Sequence, residues 1–183
     1  MNELLEKLSG GTLISDGRAD EVVGEVLDDM SLLPKLVEGL EEEDDVIRGR
    51  AADALEKLSR FHPEKMASYL QIFMDLAEND PVPMVRWHLA MIFGRMIFSK
   101  EYTEKVIPTL LEILKEDSVF VISWAIVSLT IIGQKYPNKK TKILSGIEQL
   151  RSQPSKAIQS KIRNAVAVLR DGKPLPKGWI KTK

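Results

Sequence analysis

The sequence contains no cysteine, which excludes a disulfide framework, a thiolate nucleophile and a metal site built on cysteine. Its two histidines, His62 and His88, have no second histidine or carboxylate at the i+3 or i+4 spacing of a helical metal site. Neither a glycine-rich phosphate loop nor a serine elbow motif occurs. We therefore expect no catalytic residues, no cofactor and no metal.

Aromatic residues are also scarce, at 6% of the 183 residues against 44% hydrophobic residues. This balance is thin for a β-sandwich and ordinary for a helical array packed with Leu, Ile, Val and Ala. The length favours one domain with a substantial core. The N-terminal stretch MNELLEKLSG is charged and amphipathic with no apolar signal core after it. We expect a soluble, cytoplasmic protein with no membrane partner.

Charge is unevenly distributed along the chain, although the net charge is only −1. Residues 1–133 carry 13 Lys or Arg against 25 Asp or Glu, and residues 134–183 carry 13 against 2. A basic end of this kind can attract an acidic protein or a nucleic acid. The split also fits self-association between the acidic N-terminal and basic C-terminal regions, or simple solubility, and the sequence leaves these alternatives open.

What the chain does contain is an internal repeat. Four similar stretches begin 38, 36 and 37 residues apart, at Ile47, Val85, Val121 and Ile158. That period is typical of stacked helical hairpins. The aligned copies share apolar positions four and three residues apart, which form one face of an α-helix. These predicted core positions are Ala51, Leu55 and Leu58; Leu89, Phe93 and Met96; Ala125, Leu129 and Ile132; and Ile162, Val166 and Leu169.

An earlier helix is predicted before each of these repeated helices. The earlier helices begin near Ser31, Met66, Lys105 and Lys140. Pro34 and Pro108 each lie 14 residues before the same position of the following helix. We therefore expect both prolines in first helical turns, where the missing N–H costs little.

The stretches DVIRGRAADAL and PMVRWHLAMIFG resemble HEAT repeats, the helical-hairpin units of α-solenoids. The resemblance covers roughly residues 31–170 and implies an all-α fold, a right-handed α-solenoid of about four to five hairpins. The third and fourth copies carry Ile122 and Gln159 where the family expects Arg, so their assignment depends on period and core spacing. We predict one domain over residues 1–171 and a basic C-terminal arm over 172–183. The domain is divided into a degenerate repeat, 1–30, and repeats 31–61, 62–99, 100–137 and 138–171.

The same resemblance implies a structural ladder between neighbouring repeats. In HEAT repeats an Asp in the turn pairs with an Arg early in the second helix, and such pairs fix the stacking. The matching positions in this sequence are Asp45, Arg48, Asp80 and Arg86. We predict that these four residues are structural.

Second helices of HEAT repeats line a concave face, so the resemblance places the outward positions of these helices in a groove. The candidate partner-binding residues are Arg50, Trp87, His88, Met91, Arg95, Trp124 and Lys161. Exposed tryptophans with a rim of Arg and Lys have the composition of a binding hot spot. Alternatively, Trp87 and Trp124 fill gaps between repeats as core. The sequence leaves both alternatives open.

The predicted function is a non-catalytic scaffold that binds a peptide or protein surface in this groove. The alternative is nucleic-acid binding or DNA-alkylation repair, because SWAIVSLTIIGQKYP is loosely similar to a helix of HEAT-like alkylpurine DNA glycosylases. Those enzymes keep a carboxylate beside the groove aromatics, whereas Asp53 lies one repeat too early here. A glycosylase-like activity therefore stays open. The arm, DGKPLPKGWIKTK, either folds back through Trp179 over the last repeat or reaches a partner.

Overall fold

The computed structural model describes residues 2–181; Met1 and the last two residues of the predicted arm, Thr182 and Lys183, lie outside the described residues. Within the described range the regular structure is helical and contains no strand. Short 3-10 helices extend or connect several of the α-helices. The α-helices are α1 (Glu3–Glu6), α2 (Ala19–Asp28), α3 (Leu33–Val37), α4 (Asp45–Ser59), α5 (Pro63–Met66), α6 (Leu70–Asn79), α7 (Pro83–Phe93), α8 (Lys100–Glu112), α9 (Val119–Lys135), α10 (Lys140–Glu148) and α11 (Lys156–Asp171).

Three of the second helices begin at residues whose side chains accept hydrogen bonds from free N–H groups of the first turn. The carboxylate of Asp44 accepts hydrogen bonds from the backbone N–H groups of Val46 and Ile47 at the start of α4. Ser118 and Ser155 cap α9 and α11 in the same way. Such caps contribute about 1 kcal/mol each. They help to fix where α4, α9 and α11 start.

The position of Pro108 differs from the prediction. Pro34 lies in the first turn of α3, as expected, but α8 begins at Lys100 and Pro108 falls inside it. The hydroxyl of Ser99 accepts a hydrogen bond from the N–H of Tyr102, so the helix starts earlier than the apolar pattern indicated. The prediction of a first-turn proline at this position is therefore wrong, and α8 lacks one internal hydrogen bond there.

The helices form two layers. The second helices of the hairpins, α2, α4, α7, α9 and α11, pack side by side in chain order. In the other layer α1 contacts α3, and α8 contacts both α6 and α10. Each hairpin therefore contacts mainly its neighbours, as in a solenoid. We call the surface of α4, α7, α9 and α11 that points away from the first helices the second-helix face.

The core lies between these layers and confirms the repeat register. Every predicted core position is buried except Val166, which is partly buried and packs against the core. Consecutive second helices thus present the same apolar side to the first helices. The prediction of an all-α solenoid is confirmed.

Helix α9 is apolar around most of its circumference because it is surrounded by other helices. It packs between α7 and α11 and also contacts α8 and α10. Its few polar groups bond internally: the hydroxyl of Ser128 donates to the carbonyl of Ala90 (2.7 Å), and that of Thr130 donates to the carbonyl of Ile126 (2.7 Å). Across residues 2–181, no helix combines the length and the apolar character needed to cross a membrane.

Candidate functional site

The C-terminal arm folds back onto the second-helix face. Helix α11 ends at Gly172, whose φ of 69° lies in the left-handed region that favours glycine. The chain then reverses, and Trp179 is buried among core residues. A guanidinium N–H of Arg95 donates to the carbonyl of Lys181 (3.2 Å), so the arm reaches α11, α9 and the end of α7. Of the two alternatives for the arm, folding back is observed as far as Lys181.

Two lysines and two tryptophans hold the arm in place. The amino group of Lys161, on α11, lies 5.6 Å from the ring centre of Trp124 and 5.1 Å from that of Trp179. The amino group of Lys181 lies 5.5 Å from the ring of Trp124. These are cation–π distances. Burial lowers the pKa of Lys161, yet the two rings still favour its charged form. Trp124, on α9, is half-buried by this arrangement.

A cleft of about 410 Å³ opens beside the arm, at the C-terminal ends of α4, α7 and α9. Met91, Trp124, Val127 and Ile131 form its apolar side, and Trp179 belongs to the arm that closes it. Its basic residues are Arg60, Arg95, Lys135 and Lys181. The volume is within the range of ligand pockets, about 300–1,000 Å³. The cleft therefore combines an apolar interior with basic groups.

A buried carboxylate lies behind this cleft. Glu56, on α4, is 0% exposed. One of its oxygens accepts from Arg60 (2.5 Å) and the other from Arg95 (2.9 Å). Burial alone would raise the pKa of Glu56, but the hydrogen bonds from these two guanidinium groups outweigh it and the pKa is lowered. Glu56 is therefore a charged anchor that orients two arginines and links α4 to the end of α7.

His88 is held in its neutral form on the N-terminal side of the cleft. Its Nδ1–H donates to the carbonyl of Met84 (2.9 Å), and its Nε2 accepts from the indole N–H of Trp87 (3.2 Å). Burial lowers the pKa of His88, and the nearby carboxylates of Asp53 and Glu56 only partly oppose this effect. Both ring nitrogens of the neutral imidazole therefore have a hydrogen-bond partner.

The ring of Trp87 connects α7 to α9. Its centre lies 5.1 Å from that of Phe120, which is 63% exposed at the start of α9. Trp87 itself is partly buried. This pair forms a second aromatic patch, separate from the residues that line the cleft.

Asp53 is the carboxylate that the glycosylase comparison singled out, and its charge is paired with Lys57. Its Oδ2 lies 2.8 Å from the amino group of Lys57, and its Oδ1 lies 3.4 Å from Nε2 of His88. Lys57 also pairs with Asp20 (2.6 Å). In the described range, residues 2–181, no group of three or more His, Cys, Asp or Glu is arranged to hold a metal ion.

Arg50 lies outside this surface. It is 1% exposed, and its guanidinium group donates to the backbone carbonyls of the loop between α1 and α2. The acceptors are the carbonyls of Leu8, Ser9, Gly10, Thr12 and Ser15, at 2.7–3.1 Å. The loop wraps the side chain so closely that a Cβ on Gly17 would lie 2.7 Å from its Cζ. Arg50 thus organises a loop and does not rim a groove.

The four ladder residues form inter-repeat contacts through both arginines. Arg48 donates to the buried carboxylate of Asp80 in the next repeat (3.1 Å), to Asp45 (2.5 Å) and to the carbonyls of residues 42 and 43. Arg86 instead pairs with Glu116 in the following repeat (2.5 Å). Two separate pairs therefore join three successive repeats, with glutamate in place of aspartate in the second pair.

Of the predicted binding residues, the structure brings Met91, Arg95 and Trp124 together at the cleft. Lys161 reaches the same place through its contacts with Trp124 and the arm. Trp87 forms the neighbouring aromatic patch with Phe120, whereas His88 is buried beside Trp87. Sequence reasoning missed Glu56, Lys135, Ile180 and Lys181, and it named Trp179 as the anchor of the arm without placing it at this cleft. The i,i+4 pair of Glu56 with Arg60 was the available signal for the first of these.

The fold and the two-layer packing define a helical-repeat protein of the α-solenoid class. A family model described as HEAT repeats matches residues 33–130, which is more than half of the chain. The chain therefore belongs to the HEAT-repeat family, whose members commonly act as protein-interaction scaffolds. A crystal structure of an engineered protein is similar, with a TM-score of 0.67 and 20% identity over 92% of this chain and 80% of that chain. At this identity the likeness shows the fold alone. No curated protein matches the chain.

Proposed function

We propose that the chain is a non-catalytic interaction scaffold that binds a peptide or protein surface on its second-helix face. The observation that carries the proposal is the cleft of about 410 Å³ on that face, with an apolar side built around Trp124. Clefts with an aromatic anchor and convergent polar groups are the usual form of a binding site. The family membership supports the same reading.

The arm adds an independent argument, because it is itself a non-helical segment bound to this face. Trp179 is 5% exposed there, and Arg95 donates to a backbone carbonyl of the arm. The face therefore holds a non-helical segment by an aromatic anchor and by a hydrogen bond to its backbone, which are interactions that a bound peptide would also use.

The experiment is a selection of peptides from a random display library on the immobilised full chain. The Trp124→Ala variant is then compared with the wild type for the affinity of the selected peptides and for thermal melting. We expect affinity to fall by about tenfold or more, as at hot-spot aromatics. We expect a modest loss of stability, because the side chain is only half-buried.

Tyr69→Ala is the matched control, since Tyr69 is a partly buried aromatic beside α6 in the other layer. It should leave peptide affinity within twofold. The proposal would be refuted if no peptide were selected, or if Trp124→Ala left the affinity of the selected peptides unchanged. Tight binding of a DNA duplex with a steep salt dependence would instead favour the nucleic-acid alternative.

A further inference from the structure

The cleft has an unbalanced charge as well as an apolar interior. Of the described residues that line it, four are basic, namely Arg60, Arg95, Lys135 and Lys181, and none is acidic. An apolar site with basic groups on one side is complementary to a ligand that carries an anionic group beside an apolar one.

Glu56 balances this charge only in part. It lies behind the wall and does not line the cleft, and its single carboxylate serves both Arg60 and Arg95. Lys135, at the end of α9, is exposed. The excess positive charge therefore faces the cleft and is available to a bound group.

The guanidinium group of Arg95 lies beside the cleft with its charge only partly matched. One terminal nitrogen donates to the carboxylate of Glu56 and to the carbonyl of Lys181, whereas its buried Nε, like that of Arg86, has no hydrogen-bond partner among residues 2–181. The carboxylate of Glu56 is shared with Arg60. Because Arg95 lines the cleft, an anionic group bound there would lie next to this guanidinium group.

We propose that the cleft binds an acidic peptide segment of a partner protein, in which a carboxylate side chain lies next to a large apolar side chain. The apolar side chain packs against Trp124 and Ile131, and the carboxylate faces Arg95 and Lys135. The inference rests on the proposed function, because it names the chemistry of the partner for the same face.

A nucleic acid fits these features less well than an acidic peptide. A nucleic-acid backbone needs a track of successive basic groups, whereas the four basic residues named above surround one short cleft. Residues 1–133 also carry 25 acidic against 13 basic residues. A short cleft closed on one side by the arm suits a short segment with a mixed apolar and acidic character.

The test uses two synthetic pentapeptides that differ only in charge, acetyl-EELFE-amide and acetyl-QQLFQ-amide, titrated calorimetrically into the full chain. We expect the acidic peptide to bind at least tenfold more tightly than the neutral one. Equal affinities, or stronger binding of the neutral peptide, would overturn the inference. So would a single-stranded oligonucleotide that competes better than the acidic peptide, or a concentration-dependent dimer that occupies the cleft.

A charge-reversing variant locates the effect. Lys135→Glu should weaken binding of the acidic peptide by about fivefold, the upper range for one exposed charge pair, and should leave the affinity for the neutral peptide unchanged. Lys156→Glu is the matched control, because Lys156 is exposed at the start of α11 and outside the cleft. Equal effects of the two variants would mean that only net charge matters and would overturn the inference.

The failure of this inference can be told apart from the failure of the proposed function. Display peptides that need Trp124 but are neutral or basic would leave the scaffold proposal standing and refute the acidic partner. Display peptides that bind independently of Trp124 would refute both.

Discussion

The removal of Arg50 is the sharpest test of how the N-terminal end of the solenoid is held. Its guanidinium group makes hydrogen bonds to five backbone carbonyls between Leu8 and Ser15, and the side chain is 1% exposed. No carboxylate neutralises it within hydrogen-bonding distance in the described range. The loop therefore takes its shape around one buried cation, and Arg50→Ala removes the group that organises it.

The magnitude follows from the number of bonds. Five hydrogen bonds at about 0.5–1 kcal/mol net each amount to roughly 2.5–5 kcal/mol. Part of this is recovered, because the freed carbonyls of a surface loop return to water and the charge is no longer buried. We expect Arg50→Ala to lower the free energy of unfolding by about 3 kcal/mol. Arg50→Lys keeps the charge but loses the planar fork, so it should cost a large fraction of that value.

The assay is urea denaturation together with hydrogen exchange of the peptides that cover the loop and the start of α2. Exchange should accelerate in residues 8–17 and stay unchanged around the cleft. Arg163→Ala is the control, since Arg163 is exposed on α11. An unchanged unfolding midpoint, or a loss of partner affinity at full stability, would refute this reasoning and return Arg50 to the binding surface.

Two further predictions concern the repeat contacts and pH. Arg48→Ala should lower the free energy of unfolding by about 3 kcal/mol, because it leaves the buried Asp80 without its cation. Arg86→Ala should lower it by only about 1 kcal/mol, since Glu116 is partly exposed. Equal losses of the two variants in chemical denaturation would contradict this ranking. The pKa of His88 is lowered on folding. The stability that His88 contributes is therefore fully present above its unfolded pKa near 6.5, and it is lost as the pH falls through the lower folded pKa. The melting temperature of the wild type should therefore decline more than that of His88→Gln between pH 7 and pH 5, and parallel profiles would refute the assignment.

The sequence predicted the repeats well because their period is set by packing. Positions such as Ala51, Leu89 and Ala125 must face the first helices in every copy, and all three are buried. The start of α8 was placed too late because its first turn is polar and depends on the cap at Ser99, which apolar spacing cannot detect.

The candidate site could be predicted only in part, for a physical reason. Helical spacing identifies which residues face away from the core, and it correctly predicted that Trp124 and Arg95 lie on one surface. It cannot say what a loop or a tail without periodicity will do. Arg50 lies on the side of α4 away from the core, as expected, but it is buried by the loop of residues 8–17. Trp179 packs on this surface although it belongs to an arm with no helical pattern. Both outcomes depend on irregular backbone that the repeat does not encode.

The most direct test of the central claim is a hydrogen-exchange footprint of the full chain with a bound display-selected peptide. If the second-helix face is the binding surface, exchange should slow at the C-terminal ends of α7 and α9 and in arm residues around Trp179. Exchange in α6, α8 and α10 should stay unchanged, because these helices form the other layer. Protection confined to that other layer, with none around the cleft, would contradict the account.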